Sequence, residues 1–336
     1  MKEDFAIIIG INDYTPADQL GLKTLQGAVN DANQMEAWVS KPTGGNVPIA
    51  NIKKIISTPN PLKPLQDEID DAFLEIEIAI NNNGGAAKRL YFYFAGHGLG
   101  ILDSTTDTGL CLANWSERRR QSALSSETYK DYIKQYGYFE EIIFIADCCR
   151  NTKINIKPQH PTFSCPTPRH NSGQTRMFVA YATQYQDQSY EIESANSEMR
   201  GAFTTVLLNG LNGAAASDGI INADSLRDYL SLNTPELAKE KGYKQIPDII
   251  ISNFSTPIVT LATLPISVNF IFSPERNNLV NIFDGELNII ISYDASQNKS
   301  PSIQLSKGLY LLKDTMTGEE KPFTILPSQN NFNVNF

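Results

Sequence analysis

Through the first 250 residues, short runs that are apolar on both faces alternate with longer stretches whose apolar residues recur every three or four positions. Phe5 to Ile11 is one apolar run, ended by the turn-like Asn12-Asp13-Tyr14. Ala28 to Val39 follows with Val29, Ala32, Met35 and Trp38 at helical spacing, and Asn51 to Ser57 reads as a second strand. Pro64 to Asn82 carries Leu65, Ile69, Phe73, Ile76 and Ile80 on one face, which predicts an amphipathic helix. Arg89 to Ala95 and Glu141 to Ala146 are apolar on both faces, as central parallel strands are. A helix is expected near Ser126 to Tyr136, a strand at Arg176 to Thr183, and helices at Gly201 to Leu211 and Ala223 to Leu232. Strands alternating with helices predict a layered α/β domain built on a mostly parallel sheet.

The pattern changes after Phe254. Ser267 to Phe272 and Leu287 to Ser292 alternate apolar and polar positions, and helical periodicity is lost. Residues 1–255 are therefore expected to form the α/β domain, and 256–336 a small all-β, sandwich-like module. Residues 151–175, rich in Pro, Ser, Asn and Lys, are expected to form a long exposed loop.

Composition narrows the class. Of 336 residues, 41% are apolar and 19% charged, which suits a globular chain with a substantial core. With 28 Lys and Arg against 37 Asp and Glu, the net charge of −9 argues against nucleic acid or an anionic membrane as the main partner. No apolar stretch approaches the roughly 20 residues of a membrane helix. Met1-Lys2-Glu3-Asp4 runs straight into a strand-like segment, with neither the apolar length nor the cleavage site of a secretory signal. Four cysteines, two of them adjacent, are too sparse for a disulfide framework, so a cytoplasmic location with reduced thiols is expected.

Two of the predicted strands end in reactive residues. His97 follows the first, between Gly96 and Gly98, and Cys148 and Cys149 follow the second. Ligands of open α/β sheets bind at the carboxyl ends of the strands, so these side chains emerge on the functional edge. A thiolate that attacks a carbonyl, with an imidazole that protonates the departing amine, is the minimum for acyl transfer. The backbone amides of Gly98 and Cys149 are candidates to stabilise the oxyanion. An isolated cysteine or histidine is more often structural; two such residues at strand ends, flanked as these are, reverse that judgement.

These residues resemble the caspase-like cysteine peptidases of the C14 type, and within them the metacaspases and prokaryotic caspase homologues. The resemblance rests on Phe5 to Tyr14 (FAIIIGINDY), Leu25 to Met35 (LQGAVNDANQM), Tyr93 to Gly98 (YFAGHG) and Ile145 to Arg150 (IADCCR). Phe178 to Thr183 (FVAYAT), Ser189-Tyr190-Glu191 and Gly201 to Leu208 (GAFTTVLL) extend it, in family order, over about residues 1–253. It implies a three-layer α/β/α sandwich with His97 and Cys149 as catalytic dyad, and the 52 positions between them match the spacing of about 50 in caspases. Metacaspase motifs read Asp-x-Cys-His-Ser-Gly, whereas this chain has Asp147-Cys148-Cys149-Arg150-Asn151-Thr152. Alignment on Asp147 makes Cys149 the nucleophile and Cys148 a core filler.

The resemblance also implies specificity. Caspases hold a substrate carboxylate with arginines, and the first of those positions is Leu25 here. Metacaspases line that pocket with acids, and the matching positions are Asp31 and Asp147. A protein or peptide substrate cut after Arg or Lys is therefore expected. Ser189, Tyr190 and Glu191 fall where relatives build the substrate-binding wall. The 151–175 loop, with Lys153, Lys157 and Arg169, falls where relatives are self-cleaved or remain a linker. Prokaryotic relatives act in regulated cell-death or defence systems. A rival reading, prompted by Arg150-Asn151-Thr152, is a silent scaffold that binds a partner protein through the β module; a regulatory protein partner is a further expectation.

Other motifs are weaker. His160, Cys165 and His170 match no standard zinc spacing. Calcium activates some metacaspases, but the acids around Asp103 and Asp107 follow no calcium-loop pattern, so neither metal nor cofactor is expected. Arg118-Arg119-Arg120 reads as a solvated turn that could itself be a cleavage site, and no phosphate-binding glycine motif occurs.

Overall fold

The computed structural model describes residues 2–151, 155–163, 174–193, 197–261, 266–306, 308–325 and 331–336. They divide into two compact units, Met1–Thr260 and Leu261–Phe336.

The first unit is built on a six-stranded sheet. Its strands are β1 (Phe5–Gly10), β2 (Ile52–Ile56), β3 (Ala87–Ala95), β4 (Phe139–Asp147), β5 (Arg176–Tyr181) and β6 (Asp248–Ser252). Across the sheet the order is β6-β5-β4-β3-β1-β2, parallel throughout except for β6, which runs antiparallel to β5. The innermost strands β1, β3 and β4 are the ones whose sequences lack alternation, because both of their faces are covered.

Among the described residues, five α-helices make the two outer layers: α1 (Ala28–Ser40), α2 (Gln66–Asn82), α3 (Ser126–Tyr136), α4 (Ala202–Asn209) and α5 (Ala223–Glu240). The pleat sends successive side chains to opposite layers. On β3, Leu90, Phe92 and Phe94 join the core shared with Ile69 and Phe73 of α2 and Tyr129 and Ile133 of α3. Tyr91 and Tyr93 point the other way, to Trp38 of α1 and Thr204 of α4. The three-layer α/β/α caspase-like sandwich is thus the architecture of this unit.

The structure extends several expected elements. The helix expected to end at Leu232 continues to Glu240 through Pro235, and the one expected to reach Leu211 ends as α-helix at Asn209. A three-stranded sheet, Gly98–Ile101, Ser104–Cys111 and Ala123–Ser125, follows β3, and a hairpin of Glu191–Glu193 and Met199–Gly201 precedes α4. The first unit runs on to Thr260. Arg89 donates to the carbonyls of Pro257 and Ile258, both at 2.8 Å, and Val259–Thr260 pairs with Ile220–Ile221.

The second unit is all-β. Ser302–Leu305, Ile266–Ile271 and Asn331–Asn335 form one sheet; Ile289–Asp294, Leu279–Phe283, Gly308–Asp314 and Glu320–Ile325 form the other. Val268 and Phe270 of the first share a core with Val280, Ile282, Leu312 and Phe323 of the second.

Candidate active site

Strand register places the two reactive residues side by side. Ala95, the last residue of β3, pairs with Asp147, the last of β4. His97 and Cys149 each lie two residues beyond that pair, at the carboxyl edge of neighbouring parallel strands. Both line a cavity of about 310 Å³, together with Leu25, Asp31, Asp147, Ser189, Tyr190 and Glu191.

His97 is held on three sides. Its backbone N–H donates to the Tyr14 hydroxyl at 2.8 Å, and the Tyr14 ring meets the imidazole edge-on with centroids 4.8 Å apart. Nε2 lies 2.7 Å from the carbonyl oxygen of Lys23. A carbonyl can only accept, so Nε2 carries the proton and the neutral ring keeps its lone pair on Nδ1. Burial pushes the imidazole below its ordinary value of 6.5, and the neutral form prevails at neutral pH.

Cys149 is half-buried, and its Sγ accepts from the Ser189 amide at 3.3 Å. Cys148 points into the core, 2% exposed. Gly98 fits against this turn only because it lacks a side chain: a Cβ there would stand 2.5 Å from the Cys148 sulfur and from the Cys149 carbonyl oxygen. Gly98 begins the small three-stranded sheet, paired with Leu110, and it is Gly96 that lines the cavity.

Two buried carboxyls form one side of the cavity. Asp147 Oδ1 accepts from the Ser189 hydroxyl at 2.8 Å, and Oδ2 accepts from the Thr204 hydroxyl at 2.7 Å and amide at 3.1 Å. Asp31 Oδ2 accepts from the Gly201 amide at 2.7 Å, and Oδ1 from Arg200 Nε at 3.3 Å. A methyl group on Gly201 would touch both carboxyls, so they face each other across one small gap. Burial raises both above the ordinary carboxylate value, and the nearness of Asp147 raises Asp31 further.

A further part of the lining comes from the segment after β5. Ser189 also accepts from Gln245 Nε2 at 3.3 Å, and Gln245 Oε1 accepts from the Tyr190 amide at 3.1 Å. Tyr190 stacks on Tyr243 with centroids 4.2 Å apart. The Glu191 carboxylate accepts from the amides of Gln26 and Gly27 at the start of α1, so it ties the wall to that helix.

Arg150 stands where the metacaspase motif has histidine, and it is 1% exposed. Its guanidinium reaches Thr108 Oγ1 at 2.9 Å, the Thr105 carbonyl at 3.0 Å and Asp248 Oδ2 at 2.6 Å, and lies 4.3 Å over the Tyr181 ring. The arginine thereby clamps the turn after β4 to the small sheet and to β6.

Asp107, weighed as a calcium ligand, is saturated by the amides of Thr108 and Glu127 and the hydroxyls of Ser125 and Ser126, which caps α3. In the expected loop, Ile156 and Phe163 are buried and Gln159 exchanges backbone bonds with Ala123 and Ser125, while Lys157 is exposed. Lys153, Cys165, Arg169 and His170 lie outside the described residues. Arg118, Arg119 and Arg120 are exposed in a tight turn.

Tyr14, Thr204, Gln245, Arg200 and the Lys23 carbonyl were not singled out from sequence. Tyr14 and Thr204 lie within recognised motifs, so their signal was present. A main-chain carbonyl leaves none.

Residues 3–258 match the family model of the caspase domain of C14 peptidases, and the chain belongs to that family of cysteine peptidases. A protein named a "probable protease" from a Desulfuromonadales bacterium is 31% identical over 222 residues, which is 63% of this chain. The chain spans only 26% of that relative's length. A solved protein from Geobacter sulfurreducens is similar at 13% identity with a TM-score of 0.48, over 77% of this chain and 97% of that one. A structure described as that of a protease gives a TM-score of 0.33 at 10% identity, over 95% of this chain and 67% of the other. Among the described residues, no helix is long and apolar enough to cross a membrane.

Proposed function

We propose that this chain is a cysteine endopeptidase that cleaves proteins after arginine or lysine. The observation that carries the reading is one cavity lined by His97 and Cys149 together with Asp31 and Asp147.

The Cys149 sulfur attacks the carbonyl carbon of the scissile peptide, and the backbone amide of Cys149, the candidate donor that lines the cavity, receives the oxyanion. His97 Nδ1 takes the thiol proton and delivers it to the departing amine, so the C–N bond breaks as the thioester forms. A water then gives its proton to Nδ1 and its oxygen to the acyl carbon, and the thiol is restored. Throughout, Nε2–H stays on the Lys23 carbonyl, which holds the ring in one tautomer.

The acids supply the specificity. A carboxylate offers about four acceptor positions, of which the protein uses two on Asp31 and three on Asp147. The remaining positions suit a guanidinium or ammonium, and charge-assisted bonds there are about twice as strong as neutral ones. The same reading makes the enzyme a regulated protease of a prokaryotic cell-death or defence system, working where thiols stay reduced.

A positional library of fluorogenic peptides, varied at the residue before the scissile bond, tests the reading with and without calcium. Turnover confined to Arg and Lys, and lost in Cys149→Ala, is the expected result. Preference for Asp overturns the specificity, and turnover retained by Cys149→Ala overturns the nucleophile. No turnover, and no labelling of Cys149 by an arginine-mimicking electrophile, returns the chain to the scaffold reading.

A further inference from the structure

The cavity wall formed by Met199 and Gly201 has an arginine behind it. Strand residues alternate in direction; Met199 and Gly201 line the cavity, and Arg200 between them does not. Its guanidinium meets Asp31 from the far side, with Nε 3.3 Å from Oδ1. Its Nη2 is buried and has no acceptor among the described residues. A buried guanidinium N–H left unpaired is costly, and the one carboxylate this side chain is seen to reach is Asp31.

The surroundings of Asp31 explain what such a cation does. Asp147 faces it from the end of β4, and the Tyr93 hydroxyl, which bonds Thr204, stands nearby on β3. Glu191, on the strand paired with Met199–Gly201, adds a further negative charge. Two carboxyls that share a buried site do not both ionise unless a cation stands beside them. Arg200 is the cation the fold provides.

We propose that Arg200 sets the charge of the specificity pocket: from behind the wall it opposes the burial and the Asp147 charge that favour a protonated Asp31, and holds that carboxyl ionised beside Asp147 at neutral pH, so the empty site receives a basic side chain without first releasing a proton. With both acids charged, the empty cluster of Asp31, Asp147 and Arg200 carries one net negative charge, and a bound Arg or Lys side chain neutralises it. Without Arg200 a proton takes the place of the missing cation, and substrate must displace it. Arg200 is thus a positioning residue for the pocket, remote from the reacting atoms. The inference rests on the basic-specific reading above.

The test is benzamidine, a guanidinium mimic, titrated calorimetrically into the full chain across the range from about pH 5.5 to about pH 8.5. In Arg200→Gln the acid limb of binding should move up by about one pH unit, which weakens affinity about tenfold on the acid side and little on the alkaline side. Arg200→Lys should restore the wild-type limb, and the acid-side loss of Arg200→Gln on an Arg peptide should appear in KM more than in kcat. An unmoved limb overturns the inference, and so does tighter binding at every pH, which would make Arg200 a competitor of the substrate. A second measurement needs only the wild type: at about pH 7.5, titration in two buffers of different ionisation enthalpy should show almost no proton release on binding. Release of about one proton overturns the inference even if Arg200→Gln does not fold. The underlying reading fails separately, when the wild type neither cuts after Arg or Lys nor binds benzamidine, and the inference falls with it.

Discussion

His97 and Lys23 are joined through the imidazole Nε2 and a main-chain carbonyl 2.7 Å away. The contact fixes which nitrogen faces the chemistry, and it uses no part of the lysine side chain. Lys23→Ala should therefore keep near-wild-type turnover, whereas His97→Ala should lose about 10²–10⁴-fold, the usual contribution of a positioned acid–base group. Burial lowers the His97 pKa below 6.5, so the acid limb of kcat should fall below that value rather than at it. A kcat–pH profile of the wild type checks the second point, and the two variants check the first. An acid limb above 6.5 would exclude a buried neutral imidazole as the group reporting.

The adjacent cysteines have opposite surroundings. Both line the cavity, but Cys148 is packed in the core at 2% exposure with its thiol pushed well up by burial, while Cys149 is only half-buried. Only a thiolate reacts with an alkylating agent. Labelling by iodoacetamide at neutral pH should persist in Cys148→Ala and vanish at this pair in Cys149→Ala, as read by mass spectrometry of the peptide that carries both. Cys148→Ala should also lower stability by about 1–2 kcal/mol, since it removes a buried sulfur and leaves a small cavity. Labelling that follows Cys148 would reverse the assignment.

The α/β/α layers were legible because β1, β3 and β4 are apolar on both faces, and only a covered parallel strand has that pattern. The strand ends that carry His97 and Cys149 were legible for the same reason: a glycine-flanked histidine and a cysteine each break a buried run. Asp31 and Asp147 came from motif positions, and no periodicity places a residue of α1 opposite the end of β4. The small sheet from Gly98 to Ser125 was missed because Ser104 to Asp107 is polar throughout, with Thr105 and Thr106 both exposed, which reads as a loop. Pro235 hid the second half of α5, although a proline ends a helix only where its missing N–H and its ring cannot be accommodated. Arg150 misled most, since a charged residue after the nucleophile looks like a degraded motif. The acceptors and the aromatic face around its guanidinium come from residues spread between Thr105 and Asp248 and become neighbours only in the fold.

Arg150 yields a prediction of its own. Its side chain is fully enclosed, and its ion-pair partner Asp248 is 38% exposed, so the pair is partly screened by solvent. The larger loss on truncation is the buried bonds to Thr108 and Thr105 and the stack on Tyr181. Arg150→Ala should destabilise the first unit by about 2–4 kcal/mol, in the range for emptying a large buried position. Urea unfolding measures that loss. Turnover per labelled active site should fall as well, because Arg150 ties the turn after Cys149 to β6. A change below about 0.5 kcal/mol, the usual ceiling for surface substitutions, would mean that the clamp is not made in solution.

The raised pKa values of Asp31 and Asp147 bind pocket occupancy to pH and stability. A carboxyl whose folded-state pKa lies above its unfolded value favours folding most below the unfolded value, near 3.8 here. That contribution is lost as pH rises through the raised folded value, because the buried acids must then ionise close together. A guanidinium bound between them removes the repulsion and favours the ionised form. The rise in Tm produced by a fixed concentration of benzamidine should therefore be smallest near pH 4 and grow toward neutrality. The difference between liganded and free protein is the quantity to follow, because other groups tilt both curves alike. Gly201→Ala is the companion variant: its new Cβ would collide with Asp147 Oδ2 and stand 3.0 Å from Asp31 Oδ2, filling the gap between the acids. In that variant the ligand-induced shift should be lost at every pH. A shift that shrinks as pH rises, or that survives Gly201→Ala unchanged, would place the cation somewhere other than between Asp31 and Asp147.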